Sequence, residues 1–374
     1  MNEKELREIK RRIRPDRNNI PAITGCFVNE NKTIITKFNQ SMTLGESETC
    51  EKLLSIMKKV LSGSIGTNLI NIEFSTKQVL ESEEHKLLSD LRASHLKDAD
   101  VLDKFYERVI NAVNLESNYL ILLANDVYDV VTRHKDGEEG ESTSVFSYVV
   151  CAICPVKNVD EGICFRESDN LFHAISSTAV LSRPELGFMF PAFTDRATDI
   201  YHALYYTKSI ENNHPAFIEG IFAAEPPMPP KAQKATFSDC LAGALREECD
   251  FEVIRSVHAQ ISDMVEAHKL AKEEEPLTLS ASTLKNVLEC CGVDEERVEK
   301  FREEFDEGFG KNAEVSPKNV VNVKQFELKT PDVTIKVNPD RRDLVSTQVI
   351  GGVEYILVRA TEGVEVNGIA VKIN

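Results

Sequence analysis

Two apolar runs constrain this chain more than any other feature. Residues 119–127 (YLILLANDV) and 145–154 (VFSYVVCAIC) are apolar at almost every position and rich in aromatic and β-branched side chains. Runs of that length and composition, bounded by polar chain, read as buried strands. The stretch between them, residues 133–144, is acidic and contains glycine, so it reads as a loop and the two strands are expected to pair.

The rest of the sequence can be read around that pair. Residues 3–14 form a short basic amphipathic helix with Leu6, Ile9 and Ile13 along one side, stopped by Pro15. Residues 22–28 and 33–38 read as strands joined by the turn Asn29-Glu30-Asn31. Residues 46–61 follow the helical period at Leu53, Leu54, Met57, Val60 and Leu61, with Gly63 placed to end the helix. A strand over 69–74 and helical stretches over 77–91 and 100–113 follow. Residues 187–192 and 200–207 form a hairpin around Thr194-Asp195-Arg196-Ala197. Tyr201, Leu204 and Tyr205 also fit helical spacing, but the β-formers of the second arm favour a strand.

Beyond EPPMPP at 225–230, a stiff extended segment that marks a domain boundary, the pattern becomes helical. Helices are expected over 251–272, from a Ser280 cap to Cys290 with Gly292 ending it, and over 294–309. The last region alternates apolar and polar residues over 333–337, 345–350, 353–358 and 364–373. Gly351-Gly352 and Asn367-Gly368 stand where two-residue hairpin turns need positive φ. The fold class is therefore α+β: an N-terminal domain (1–224) with a mixed or antiparallel sheet and helices, a Pro-rich linker (225–235), an acidic helical connector (236–315) and a small C-terminal antiparallel β module (316–374).

The formal net charge of -17 keeps the chain soluble and repels polyanions, so nucleic acid binding would need a local basic patch. The N-terminal helix is such a patch, and it could face the acidic connector or simply be a solvated helix face. The N-terminus carries no leader pattern and no run is long enough to span a bilayer. Nine cysteines, an odd number without framework spacing, point to reduced thiols and a cytoplasmic protein with no membrane association.

Residues 187–208, GFMFPAFTDRATDIYHALYYTK, are the best candidate for a functional surface. Strand spacing puts Ile200, His202, Leu204, Tyr206 and Lys208 on one face and Asp199, Tyr201, Ala203, Tyr205 and Thr207 on the other. Each face mixes tyrosine with polar groups, which suits contact with a base, a phosphate or a partner subunit, or a strand covered by a neighbouring domain. Asp126, Asp129, Asp195 and Asp199 lie at strand ends or turns. If they converged they could hold Mg²⁺ for phosphate-ester hydrolysis, assisted by His202 or Lys208; turn aspartates are otherwise common because they bond to nearby backbone N–H groups. Cys151 and Cys154 form a C-x-x-C on a strand, where residues three apart point to opposite faces, so core cysteines are expected and no metal is assigned. Gly63-Ser64-Ile65-Gly66-Thr67 runs from helix to strand, the wrong polarity for a phosphate loop.

CAICPVK at 151–157, the 187–208 run and TIKVNPDRRDLVSTQVIGGVEYILV at 334–358 resemble a domain-of-unknown-function family, number 4317, of Gram-positive anaerobes. The resemblance covers nearly the whole chain and implies no activity and no catalytic residue. In order and length alone, the chain is also similar to the nucleoid-associated proteins of Gram-negative bacteria, an analogy that carries no function by itself. The leading expectation is a non-catalytic binding or assembly protein without a cofactor, its partner a nucleic acid, a protein or a second copy of the chain. Arg11, Arg12, Arg196, Tyr201, His202, Tyr206 and Lys208 are its expected contact residues. The rival expectation is the Mg²⁺-dependent hydrolase built on the four aspartates.

Overall fold

In the computed structural model the described residues are 1–133, 139–246, 249–271, 273, 275–323, 325–360, 363–366 and 369–371. The chain divides into two units, with the change at Pro229 and Pro230 inside the Pro-rich segment.

The first unit runs α1 (Glu3–Arg12), β1 (Ala22–Val28), β2 (Ile34–Ser41), α2 (Ser47–Val60), β3 (Leu69–Glu73), α3 (Thr76–Glu81), α4 (Glu83–Ala93) and α5 (Ala99–Ala112). It continues through β4 (Tyr119–Arg133), β5 (Glu139–Val159), β6 (Gly162–Arg166), β7 (Leu171–Ile175), β8 (Thr178–Leu181), β9 (Leu186–Phe190), β10 (Ala192–Thr194), β11 (Ala197–Asp199) and β12 (His202–Thr207) to α6 (Pro215–Phe222). Its main sheet has the order β2-β1-β4-β5-β9-β12-β3, with β8 paired to the end of β5, and every ladder in it is antiparallel. The two apolar runs are the long central pair β4 and β5, as their composition requires.

Both faces of the centre of this sheet are covered, and alternate residues there divide between two cores. Ile121, Leu123, Val149, Cys151 and Phe188 pack with Leu88 and Leu91 of α4, Phe105 and Val109 of α5, and Phe217 and Phe222 of α6. Leu122, Ala124, Tyr148, Val150, Cys154 and Met189 pack with Leu6 and Ile9 of α1 and Leu54, Met57 and Val60 of α2. An antiparallel sheet often leaves one face to water; here the near-continuous apolar strands leave neither.

Several expectations change on contact with the structure. The 133–144 loop is largely strand: Val130 pairs with Ser144, Val131 with Ser142 and Arg133 with Glu139, through irregular register. Residues 134–138 lie outside the described residues. The helical stretch 77–91 breaks at Ser82, which ends α3 and caps α4 by accepting the His85 N–H. The hairpin of residues 187–207 is present but built in two stages, β9 with β12 and β10 with β11. Its β12 is an interior strand: Ala203 and Tyr205 join one core, Leu204 and Tyr206 the other. The expected mixed contact face on β12 is therefore core on both sides, because β3, distant in sequence, pairs along its outer edge.

The second unit runs α7 (Pro230–Leu245), α8 (Phe251–Ala271), β13 (Leu279–Ser280), α9 (Ala281–Cys290), α10 (Glu295–Phe309), β14 (Glu314–Val315) and α11 (Pro317–Val320). It ends in β15 (Phe326–Lys329), β16 (Thr334–Val337), β17 (Val345–Ile350), β18 (Val353–Val358), β19 (Val364–Val366) and β20 (Ile369–Val371). Residues 230–235, expected as linker, are the first turns of α7. Ser280 and Asp294 cap α9 and α10, and Phe237, Ile261, Leu288, Phe301 and Phe305 form the core. The C-terminal strands are antiparallel, as expected, and pair as β15 with β16, β17 with β18 and β19 with β20. Gly351 and Gly352 adopt φ 60° and 81°, as their hairpin turn demands. Asn367-Gly368, Lys272 and Glu274 lie outside the described residues.

Two consequences can be measured. Gly187 sits where α2 crosses β9, and a Cβ there would lie 2.3 Å from the Cys151 carbonyl oxygen and 3.0 Å from Val60 Cγ2. Gly187→Ala is expected to lower stability by about 1–3 kcal/mol in urea denaturation. In the second unit His258 hydrogen-bonds through Nε2 to the Asn322 carbonyl at 3.1 Å, while Nδ1 faces Arg342 Nη1 and Ser262 Oγ, each at 3.4 Å. Burial, then Arg342 and Lys234, push its pKa down, against the backbone hydrogen bonds. The folded unit favours neutral imidazole, so its stability contribution is complete above the ordinary histidine value of about 6.5 and is lost as pH falls below it. Thermal melts at descending pH should show a smaller loss for His258→Gln than for the unaltered chain.

Candidate functional site

The residues singled out by sequence meet most densely where α1 crosses the turn between β10 and β11. That turn consists of Asp195 and Arg196 alone, flanked by the Thr194–Ala197 pair, with φ 51° and 55°. Two consecutive left-handed residues define a type I′ turn, which normally calls for Asn or Gly. Here α1 supplies the compensation. Asp195 N–H donates to Glu5 Oε1 at 2.6 Å, and Arg196 Nη2 donates to Glu8 Oε1 at 2.9 Å. Glu5 is held in turn by its own helix start: its Oε2 accepts the Asn2 N–H, and Asn2 Oδ1 accepts the Glu5 N–H, a reciprocal capping box.

One turn further along α1, the cluster reaches the sheet. Tyr128 O–H donates to Glu8 Oε1 at 2.7 Å, and the Arg12 guanidinium lies 4.2 Å from the centre of the Tyr128 ring. Arg12 Nε approaches Asp126 Oδ2 at 3.4 Å, and its Nη2 donates to the Val127 carbonyl. Asp126 is only 1% exposed. It also accepts Tyr148 O–H at 2.8 Å on Oδ2 and Asn19 N–H at 2.8 Å on Oδ1. Burial first and then Asp126 push the Tyr148 pKa well above its ordinary value; burial and Glu8 raise that of Tyr128.

These contacts decide what the aspartates can do together. Asp126 has its oxygens committed to Tyr148, Arg12 and Asn19. Asp129 is exposed on the opposite face of β4, three residues away, the same parity that separates Cys151 from Cys154. Asp195 is exposed at the turn, and Asp199 accepts a hydrogen bond on Oδ2 from His202 Nδ1 at 2.8 Å. Among the described residues, no three His, Cys, Asp or Glu side chains gather so as to hold a metal ion. Burial raises the Cys154 thiol pKa to about 12 and pushes that of Cys151 well above its ordinary value.

The expected contact residues are likewise dispersed. Arg11 is exposed on α1, whereas Arg12 and Arg196 belong to the cluster just described. Tyr201 is exposed and His202 half-buried at one end of β12; Lys208, beyond its other end, pairs with Glu185 at 2.9 Å. Tyr206 between them is in the core, 2% exposed.

One exposed apolar element of the first unit has no counterpart in the sequence expectations. β6 and β7 form a hairpin in which Phe165 pairs with Phe172 and Ile163 with Ala174, all on one face. The two rings lie 5.2 Å apart, and Ile163, Phe165 and Phe172 are 77%, 51% and 75% exposed. The alternation in GICFR and LFHAI was the available signal, weakened by the charged and polar residues between them.

A family model described as Domain of unknown function (DUF4317) matches residues 1–369. No curated protein and no solved structure matches the chain. Among the described residues no helix is long and apolar enough to cross a membrane.

The Arg12–Asp126 contact can be weighed directly. Asp126→Ala, which strands Tyr148 O–H and removes the carboxylate facing the Arg12 guanidinium, should cost about 3–5 kcal/mol. A double-mutant cycle of Asp126→Asn with Arg12→Met, followed by chemical denaturation, should give a coupling of about 0.5–3 kcal/mol.

Proposed function

The chain belongs to the family described as Domain of unknown function (DUF4317), and from that premise we propose a non-catalytic protein that works by binding and assembly, with a second copy of itself as partner. The observation that carries this reading is the β6–β7 hairpin. It presents a contiguous row of Ile163, Phe165 and Phe172 to solvent. A two-stranded ribbon gains little stability alone, and an exposed aromatic row of this kind marks a contact surface. Face-to-face packing of two such ribbons would bury both rows.

The ion pairs weigh against the nucleic-acid form of this reading. Arg12, Arg196 and Lys208 each meet a carboxylate of their own chain, Asp126, Glu8 and Glu185, against a net charge of -17. The nine free cysteines suit a cytoplasmic setting.

Light scattering on the eluting chain at micromolar concentration should report an oligomer. The double variant Phe165→Asp, Phe172→Asp should elute as a monomer with unchanged far-ultraviolet circular dichroism. An unaltered chain that stays monomeric across the concentration range sinks the reading. A gel shift with duplex DNA at low salt should show no complex.

A further inference from the structure

β3 is the last strand of the main sheet, and its outer backbone edge is open. The ladder to β12 uses the even-numbered residues: Phe74 N–H donates to the Tyr201 carbonyl at 2.7 Å, and Thr207 N–H to the Asn68 carbonyl at 2.9 Å. In an antiparallel ladder the intervening residues turn their backbone groups the other way. Leu69, Asn71 and Glu73 therefore point outward. Leu69 is engaged, its N–H donating to the Ser64 carbonyl at 3.1 Å and its carbonyl accepting the Gly66 N–H at 2.7 Å. The N–H and C=O groups of Asn71 and Glu73 meet no protein partner among the described residues.

A cleft of about 300 Å³ opens along that edge. Asn71, Ile72 and Glu73 line one side, and the segment from Ala223 to Pro227 lines the other. Gln78 Nε2 anchors this far wall by donating to the Ala223 carbonyl at 2.9 Å, and Asn213 Nδ2 by donating to the Pro227 carbonyl. Its prolines keep that wall stiff. The ionisable residues lining the cleft are Glu73 and Glu225, both exposed, with no lysine, arginine or histidine among the described lining.

We propose that this cleft is a peptide groove in which an extended, basic segment of a partner protein adds a strand to β3. Unpaired backbone at Asn71 and Glu73 supplies the strand pairing, and the two carboxylates select lysine or arginine. The proposal rests on the reading of the chain as a binding protein and gives it a second contact, separate from the β6–β7 hairpin.

The test is fluorescence anisotropy of the full chain with a short labelled peptide alternating valine and lysine. Saturable binding is expected. The same peptide N-methylated at alternate residues, which cannot pair with a strand edge, should bind at least tenfold more weakly, as should its valine–glutamate counterpart. Glu73→Lys with Glu225→Lys should weaken the lysine peptide by a similar factor. Asn71→Pro removes only an outward N–H, a change an edge strand tolerates, and should abolish binding with an unchanged thermal melt. If that variant does not fold, the N-methylated peptide still decides the matter. No saturable binding of the valine–lysine peptide, or equal binding of its N-methylated form, overturns the proposal. Self-association is scored on the peptide-free chain and involves β6 and β7, so the two readings fail separately.

Discussion

The pairing of β4 with β5 is the constraint on which the first unit depends. Each strand is apolar on both faces, so the pair cannot be stable with either face wet. One face demands α4, α5 and α6, the other α1 and α2, and the sheet then grows outward on both sides to support those layers. Buried polar groups between these layers differ in how they are met: among the described residues the Tyr106 and Tyr119 hydroxyls have no hydrogen-bond partner, whereas Asp126 is bonded on both oxygens. Asp126 is a carboxylate facing the α1 side of the sheet, tolerated because a tyrosine, a guanidinium and a backbone N–H converge on it. The same cluster ties the N-terminal helix to the sheet, so Arg12 of that helix acts first as an internal partner.

Much of the fold was legible because its signals are local. The β4–β5 pair, the Asp195-Arg196 turn, the Ser280 cap and the Gly351-Gly352 hairpin each follow from a few neighbouring residues whose backbone needs are strict. What sequence could not supply was lateral order. Nothing near residues 202–207 says that residues 69–73 will pair outside them, and that pairing turns an apparent contact face into core. The parity rule that separated Cys151 from Cys154 applies equally to Asp126 and Asp129, and places those two carboxylates on opposite faces of β4. The β6–β7 hairpin was missed because its alternation is short and crossed by charge.

The exposed elements share one property. The β6–β7 ribbon, the β3 edge and the three C-terminal hairpins all leave strand backbone or apolar strand faces in solvent, whereas the helices largely bury their apolar stripes. Unpaired strand edges are a hazard that proteins cover or exploit.

The opposite orientation of Cys151 and Cys154 has a practical consequence. Each thiol lies under a different helical layer and is kept protonated by burial. A thiol reagent can therefore reach Cys154 only when the α1–α2 layer lifts, and Cys151 only when the α4–α6 layer does. Two residues of one strand thus act as independent clocks for the opening of the two sides of the sheet, native labels that would show which layer lets go first.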